Sequence, residues 1–260
     1  MNCTTLQTIR QHVYDCLQRR ADALFSLSDA LMSEAQAQRL PELSLSPFFE
    51  RGRSSVYAAL DEGRINVAAL RNVWAEALLS EVPAKQTVWL GIDSSSLARP
   101  DAACSEDRGM IYVHNLPHAT TPVSVGWQFS TLMLLPEQAS SWVAVLDQQR
   151  IRTDQTAIEV AIEQLQAFLP LCQRPVILLA DRWYAVLRFV QACQAVPCPA
   201  LLRLKLYRRP PAREAGKRGA PRKHGALLQG SRPETLEAPD ATWEGEDEQS
   251  QHVVVSCWQH

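Results

Sequence analysis

Two carboxylates sit where strand-like runs end, and their type and spacing suggest cation chemistry. Asp93 follows Val88-Trp89-Leu90-Gly91-Ile92 and precedes Ser94, Ser95 and Ser96. Asp181 follows Val176-Ile177-Leu178-Leu179-Ala180 and precedes Arg182, Trp183 and Tyr184. Short apolar runs bounded by turn or helix-start signals suit strands buried on both faces. As parallel neighbours, about 4.8 Å apart, two such strands bring their terminal acids to one end of a sheet. Carboxylates that close repel one another unless a cation lies between them. An all-oxygen ligand set suits Mg2+ or Mn2+. Each Asp also has a plainer reading, Asp93 as a turn former before the serines and Asp181 as the N-cap of the next helix. Recurrence of the pattern within one α/β unit is what favours function.

The elements that must position these acids follow from periodicity. Residues 1–84 read as helical. Leu6, Ile9, Val13, Leu17 and Leu24 recur at helical spacing, with Cys16 and Ala21 in the same stripe. Pro41 and Pro47 break the pattern. Ser54 or Ser55 can cap a short helix through Leu60, with Gly63 as its stop. Asn66 can cap another that carries Val67, Leu70, Trp74 and Leu78 on one face and ends before Pro83. These stripes read as core packing. Near Pro83 the period becomes strand-like, which divides the chain into a helical N-terminal domain, 1–84, and a second domain, 85–260.

In the second domain strands are expected over 87–93, 110–114 and 123–135, with a fourth short apolar run at 142–146. Thr156-Ala157-Ile158-Glu159 is a capping-box signature. It opens a helix carrying Ile158, Ile162, Leu165 and Leu169 that Pro170 closes. The Asp181 strand follows, then a helix over 183–194 and a strand over 200–206. Crossover through the first of these helices returns the Asp181 strand parallel to an earlier one. The fold class expected is α/β, an RNase H-like mixed sheet with flanking helices. In that sheet the fourth strand lies beside the first, so Asp93 and Asp181 meet. A doubly wound nucleotide-binding sheet fits less well, because its strands alternate with helices from the start.

At 260 residues, 46% hydrophobic and 21% charged, the chain has the composition of a soluble globular protein. No apolar run approaches the roughly 18 residues of a membrane span, and the first residues lack a basic and apolar leader, so neither membrane nor secretion is expected. Seven cysteines, an odd number without a C-x-x-C pair, suit reduced thiols and a cytoplasmic location. The net charge of -2 argues against a uniformly basic nucleic-acid binder. Charge is segregated, however: nine Lys or Arg against one acid over 203–223, then seven acids and no base over 234–248. The basic loop at about 207–225 is too rich in Pro and Gly for regular helix. It reads either as a solvated loop or as a flexible arm along DNA phosphates. The candidate contacts are Arg208, Arg209, Lys217, Arg218, Arg222 and Lys223. The acidic stretch behind it could hold the arm back when DNA is absent.

Other chemistry finds little support. Phosphate-loop, dinucleotide, zinc-protease and nucleophile-elbow patterns are missing. Pro117 between His114 and His118 spoils a helical ligand pair. His252, Cys257 and His260 lack a fourth zinc ligand.

At Gly91-Ile92-Asp93-Ser94-Ser95 and Leu179-Ala180-Asp181-Arg182-Trp183-Tyr184 the sequence resembles bacterial insertion-sequence transposases of the DDE type, named for an Asp-Asp-Glu triad. Arg99-Pro100-Asp101-Ala102, Gly126-Trp127-Gln128, Ser141-Trp142 and Pro221-Arg222-Lys223-His224-Gly225 extend the likeness over most of 85–260. The resemblance implies an RNase H-like catalytic domain, two divalent metals (Mg2+ or Mn2+), and double-stranded DNA, as transposon ends and target, for substrate. Asp93 then corresponds to the first acid and Asp181 to the second, both as catalytic residues and metal ligands. It also implies an oligomer holding both ends, and N-terminal helices that help bind them. The third acid departs from the pattern. The family's Glu lies on a helix after the fifth strand, often beyond an inserted β-rich segment. Here the acids of 234–248 lack helical periodicity, and 252–260 reads as a strand at the start of such an insertion. The expectation is a C-terminally truncated transposase, inactive alone. The alternatives are a non-catalytic fragment that binds DNA or inhibits a full-length copy, and another RNase H-like nuclease.

Overall fold

A computed structural model describes residues 3–113, 122–137, 142–196, 198–203, 207–208, 227–228, 232–235, 238–246 and 250–257. Two compact units divide the chain, Met1–Leu202 and Arg203–His260.

The first unit begins with α1 (Cys3–Asp15), β1 (Leu17–Arg19), α2 (Ala21–Ser33), α3 (Leu40–Leu43), α4 (Ser54–Glu62), β2 (Arg64–Ile65) and α5 (Val67–Ser80). The single stripe expected from Leu6 to Leu24 is therefore broken into two helices. Arg20 adopts a left-handed φ of 57° between them, and its guanidinium donates to Glu62 at 2.8 and 3.0 Å. The short pair β1–β2 runs antiparallel beside that turn. Gly63 does end α4, and the Asn66 side chain does cap α5, accepting from Ala69 N–H at 3.1 Å. The buried face of α5 differs from the expected stripe: Ala75, Ala77 and Leu79 are buried, whereas Val67 and Trp74 are largely exposed. Small alanines let the helix approach its neighbours closely. The Trp74 ring stays outside and donates its Nε1–H to Val145 O at 2.7 Å.

The sheet follows: β3 (Val88–Ala98), β4 (Gly109–Tyr112), β5 (Val123–Leu135), β6 (Ala144–Ile151), α6 (Ala157–Phe168), a 3-10 turn at Leu169–Leu171, β7 (Val176–Ala180), α7 (Leu187–Ala195) and β8 (Ala200–Leu202). Six strands pair in the order β4-β5-β3-β7-β8, with β6 also on β5. The β3–β5, β4–β5 and β5–β6 pairs are antiparallel; β3–β7 and β7–β8 are parallel. With β4 set aside as a hairpin extension, the order β6-β5-β3-β7-β8 is that of the RNase H-like mixed sheet. The α6 capping box forms as read, with Thr156 Oγ1 accepting from Glu159 N–H and Glu159 accepting from Thr156 N–H.

Leu90, Leu132, Leu178, Val160, Phe168 and Phe189 are buried in one core between the sheet and its helices. Each such side chain contributes about 1.5–3 kcal/mol by leaving water. Within this core runs a polar chain. Gln164 on α6 accepts from Ser130 Oγ at 2.6 Å and donates to Asp147 Oδ2 at 3.1 Å. The other Asp147 oxygen meets Arg71 Nε of α5 at 3.0 Å. The expected stripe of α6 is rotated to fit: Val160, Ala161, Gln164, Leu165 and Phe168 are its buried residues.

The second unit comprises β9 (Tyr207–Arg208), β10 (Leu227–Leu228), a 3-10 turn at Pro233–Thr235, β11 (Ala241–Glu246) and β12 (His252–Cys257). β9 pairs with β10 and β11 with β12, both antiparallel. Among the described residues no helix is long and apolar enough to cross a membrane.

Arg71→Ala leaves the Asp147 carboxylate buried without its counter-charge. It is expected to lower unfolding stability by about 3 kcal/mol, read as a shifted urea midpoint, whereas exposed Arg152→Ala is expected to change it by less than about 0.5 kcal/mol.

Candidate active site

The acids come together through strand register. The parallel β3–β7 ladder ends at Ile92 paired with Ala180. Asp93 and Asp181 each follow by one residue, on strands spaced about 4.8 Å apart. Side chains alternate along a strand. Val88, Leu90 and Ile92 enter the core, so Asp93 belongs to the opposite face with Trp89 and Gly91, and its side chain is exposed.

One expectation is corrected here. Asp93 does not end its strand, and the serines after it are not a turn. β3 continues through Ser94, Ser95 and Ser96 to Ala98, paired residue by residue with β5 as far as Gly126. The antiparallel partner supplies backbone hydrogen bonds that the parallel partner no longer offers, and Ser94, Ser95 and Ser96 alternate between half-buried and exposed positions along it. Among the described residues, Asp93 sits where β3 passes from two neighbours to one. Gly126 is required opposite: a Cβ there would stand 2.1 Å from Leu97 O. Directly across from Asp93 is Thr131, whose hydroxyl accepts from Gln148 Nε2 at 3.2 Å.

Asp181 is likewise not the N-cap of a helix. Its Oδ1 accepts from Trp183 N–H at 2.8 Å, and its carbonyl accepts from Tyr184 N–H at 3.2 Å. This tight turn replaces the helix expected from Trp183; α7 starts only at Leu187, after an extended Val186. The reason is Tyr184, which leaves the surface and packs against Phe189 with ring centroids 5.1 Å apart. The Tyr184 phenol is 1% exposed. Burial, then the negative charge of Asp93 and more weakly that of Asp181, push its pKa up to about 12. The Ser94 and Ser130 hydroxyls are near enough to oppose that rise, yet neither closes a hydrogen bond of good geometry, and Tyr184 Oη is buried without a partner.

The segment before β4 is fixed beside the far end of β3. Asp107 takes a left-handed φ of 54° and accepts from Thr153 Oγ1 at 2.6 Å, Thr153 N–H at 3.0 Å and Arg150 at 2.8 Å. These bonds, the Thr153 hydroxyl foremost, hold its carboxyl below the usual range. Trp127, in one of the matched segments, donates its Nε1–H to Glu106 O at 3.2 Å.

Among the described residues no group of three or more His, Cys, Asp or Glu gathers to hold a metal. The acid pair alone supplies an incomplete oxygen set. Arg209, Lys217, Arg218, Arg222 and Lys223, together with His114, His118 and His260, lie outside the described residues. Arg208 contributes backbone to β9. Tyr184 and the chain Ser130–Gln164–Asp147–Arg71 were not singled out by pattern. A glutamine flanked by Ala161, Leu165 and Phe168 on a capped helix was the available signal for the second.

Asp181→Asn keeps the acceptor for Trp183 N–H and is expected to leave thermal stability nearly unchanged. Asp181→Ala removes it and is expected to cost about 1 kcal/mol. Melting curves of the two variants separate the turn from any chemistry of the acid.

Residues 12–256 match the family of DDE superfamily endonucleases. No curated protein matches the chain in sequence. Among solved structures, the chain is similar to the Drosophila P element transposase strand transfer complex at 13% identity, covering 66% of this chain and 35% of that one, with TM-score 0.33. It is similar to the Mos1 strand transfer complex at 18% identity, covering 71% and 58%, with TM-score 0.25. It is also similar to the simian T-cell lymphotropic virus intasome in complex with a PP2A regulatory subunit at 13% identity, covering 64% and 52%, with TM-score 0.25. The chain thus spans a third to three fifths of those proteins. Overlaps this partial leave the fold to be read from strand order and register alone.

Proposed function

Because the chain belongs to the DDE superfamily of endonucleases, we propose that it is an insertion-sequence transposase polypeptide that binds double-stranded DNA and holds divalent cations on Asp93 and Asp181. The observation that carries the reading is the adjacency of those acids beyond the Ile92–Ala180 rung. Two carboxylates on neighbouring strands, oxygen donors only, fit Mg2+ or Mn2+. Such cations supply Lewis-acid charge to a phosphate and to the attacking and leaving oxygens of in-line displacement.

The chain's own residues do the rest. Asp93 on a rigid strand and Asp181 on a hydrogen-bonded turn fix two ligands from different elements, which sets where a phosphate can sit. Hydrolysis there cuts one DNA strand and frees a 3′ hydroxyl, the nucleophile for strand transfer into target DNA. Arg208, Arg209, Lys217, Arg218, Arg222 and Lys223 contact phosphates without reading bases. The helices of 1–84 bind transposon ends, and copies of the chain, or a full-length transposase, pair to hold both ends. Six free cysteines among the described residues suit work in the cytoplasm.

Because two acids meet and no third joins them among the described residues, the 260-residue chain alone is expected to bind DNA and cleave it poorly. The second reading, a DNA-binding or inhibitory polypeptide without chemistry, rests on the same observation. A gel shift with and without Mg2+, run beside a nicking assay, tests both. DNA retention with weak nicking that Asp93→Ala abolishes supports the first. Retention with no nicking at any Mg2+ concentration supports the second. Robust nicking lost in Asp93→Ala refutes the incompleteness, and nicking indifferent to both Asp93→Ala and Asp181→Ala refutes the acid assignment.

Replacing all six basic residues by Ala is expected to flatten the plot of log affinity against log salt by about five, at roughly 0.9 counterion per phosphate contact. An unchanged slope returns that segment to a solvated loop.

A further inference from the structure

Two arginines are held side by side on the short β1–β2 ribbon of the first unit. Arg19 of β1 lies opposite Arg64 of β2, and both side chains are exposed. Residues that face one another across an antiparallel pair have Cβ atoms about 4.5–5.5 Å apart, and like charges there weaken the pairing. Over 16–20 and 62–66 the chain carries three arginines and one acid, Glu62. That acid belongs chiefly to Arg20, whose Nε and Nη2 donate to it at 3.0 and 2.8 Å. Arg19 reaches the same oxygen at 3.3 Å, and Arg64 donates to the carbonyl of Gly63 at 2.8 Å. The nearby Asp15 accepts from Gln11 at 2.9 Å. One carboxylate, already committed, thus serves a cluster of three guanidiniums.

The ribbon cannot relieve the repulsion by drifting apart. Leu17 at its start packs against Ala23, Leu24 and Ala59. Gly63 lets β2 lie close to the helices: a Cβ there would stand 2.1 Å from Ala59 O and 2.9 Å from Leu24 Cδ1. Asn66 N–H donates to Cys16 O at 2.8 Å and closes the other end. Arg20, at its left-handed φ of 57°, is tied down by Glu62. Arg19 and Arg64 therefore project from a fixed base. An anion that bridges both turns their repulsion into attraction. Phosphate fits the arginine fork best, because its oxygens take parallel N–H···O bonds. Duplex DNA presents a continuous line of such groups.

We propose that the β1–β2 ribbon is a DNA-backbone contact: Arg19 and Arg64 together clamp a phosphodiester of duplex DNA, with Arg20 and Glu62 holding the turn beside them. This rests on the proposed binding of DNA by residues 1–84, and it assigns a contact there to the ribbon between the helices rather than to a helix face. Contacts of this kind fix the position of a duplex without reading its bases. The ribbon adds affinity for DNA of any sequence.

The test is fluorescence anisotropy of a labelled mixed-sequence DNA duplex, titrated with the full 260-residue chain over a range of NaCl concentrations, with the melting temperature of each protein taken beside it. Wild type, the double variant Arg19→Gln with Arg64→Gln, and the control Arg152→Gln are compared. The inference requires the double variant to bind more weakly and to flatten the plot of log affinity against log salt by about two, at roughly 0.9 counterion per phosphate contact. Its melting temperature should equal or exceed that of wild type, since a like-charged pair is removed. Arg152→Gln should keep the wild-type slope. An unchanged slope in the double variant overturns the ribbon contact and leaves DNA binding by the chain in place. Equal flattening in Arg152→Gln reduces the effect to overall charge and also overturns it. A lower melting temperature in the double variant assigns the pair to folding, with the same consequence. Inorganic phosphate that raises the melting temperature of wild type but not of the double variant, at matched ionic strength and with the DNA slope unchanged, assigns the pair to a free anion and overturns the contact with DNA. No binding of the duplex by wild type overturns the DNA-binding reading itself.

Discussion

The parallel ladder between β3 and β7 is the constraint on which the site depends. Five residue pairs, from Val88–Val176 to Ile92–Ala180, set the register of two segments more than 80 residues apart in sequence. A slip of one residue would turn every side chain of one strand to the other face. Leu90 and Leu178, both fully buried, oppose such a slip because it would bring them out of the core. Register, and with it the meeting of Asp93 and Asp181, is thus enforced by apolar burial, with no direct attraction between the acids needed.

The core that enforces register is not purely apolar. Arg71, Asp147, Gln164 and Ser130 join α5, β6, α6 and β5 through one buried set of polar contacts. Such a set is sensitive to geometry, since each member left unpaired costs more than an apolar residue would. It fixes the angles at which two helices meet the sheet more narrowly than leucine packing can. Its Ser130 end lies one rung from the residue opposite Asp93, which places the most geometrically demanding part of the core directly behind the candidate site.

Much of this was legible in the sequence because local signals agreed with the global fold. The capping box at Thr156 and Glu159, the Asn66 cap, the Gly63 stop and the long strand at Val123–Leu135 follow from residue type and spacing, and so does the strand order that joins the acids. What failed did so where tertiary contacts outrank local pattern. The serines after Asp93 have turn composition, but an antiparallel partner of equal length keeps them extended. Trp183 and Tyr184 sit at an apparent helix start, yet burial of the Tyr184 ring delays α7 to Leu187. The stripe across α1 and α2 has continuous period, but the Arg20–Glu62 pair stabilises a break that periodicity cannot register. Tyr184 itself was visible only as part of a motif, because an unmade hydrogen bond leaves no trace in sequence.

Beyond Ile92, β3 loses its neighbour on the β7 side while β5 accompanies it for six more residues. Among the described residues, that stretch is an open sheet border beginning at Asp93. Open borders expose alternating amide donors and carbonyl acceptors and tend to recruit stray strands. Three consecutive serines form a poor template for such recruitment, having little apolar surface to reward it. They are also short enough to leave the main chain within reach. A run that looks in isolation like a simple spacer therefore gives the border beside Asp93 little apolar surface with which to reward unwanted pairing.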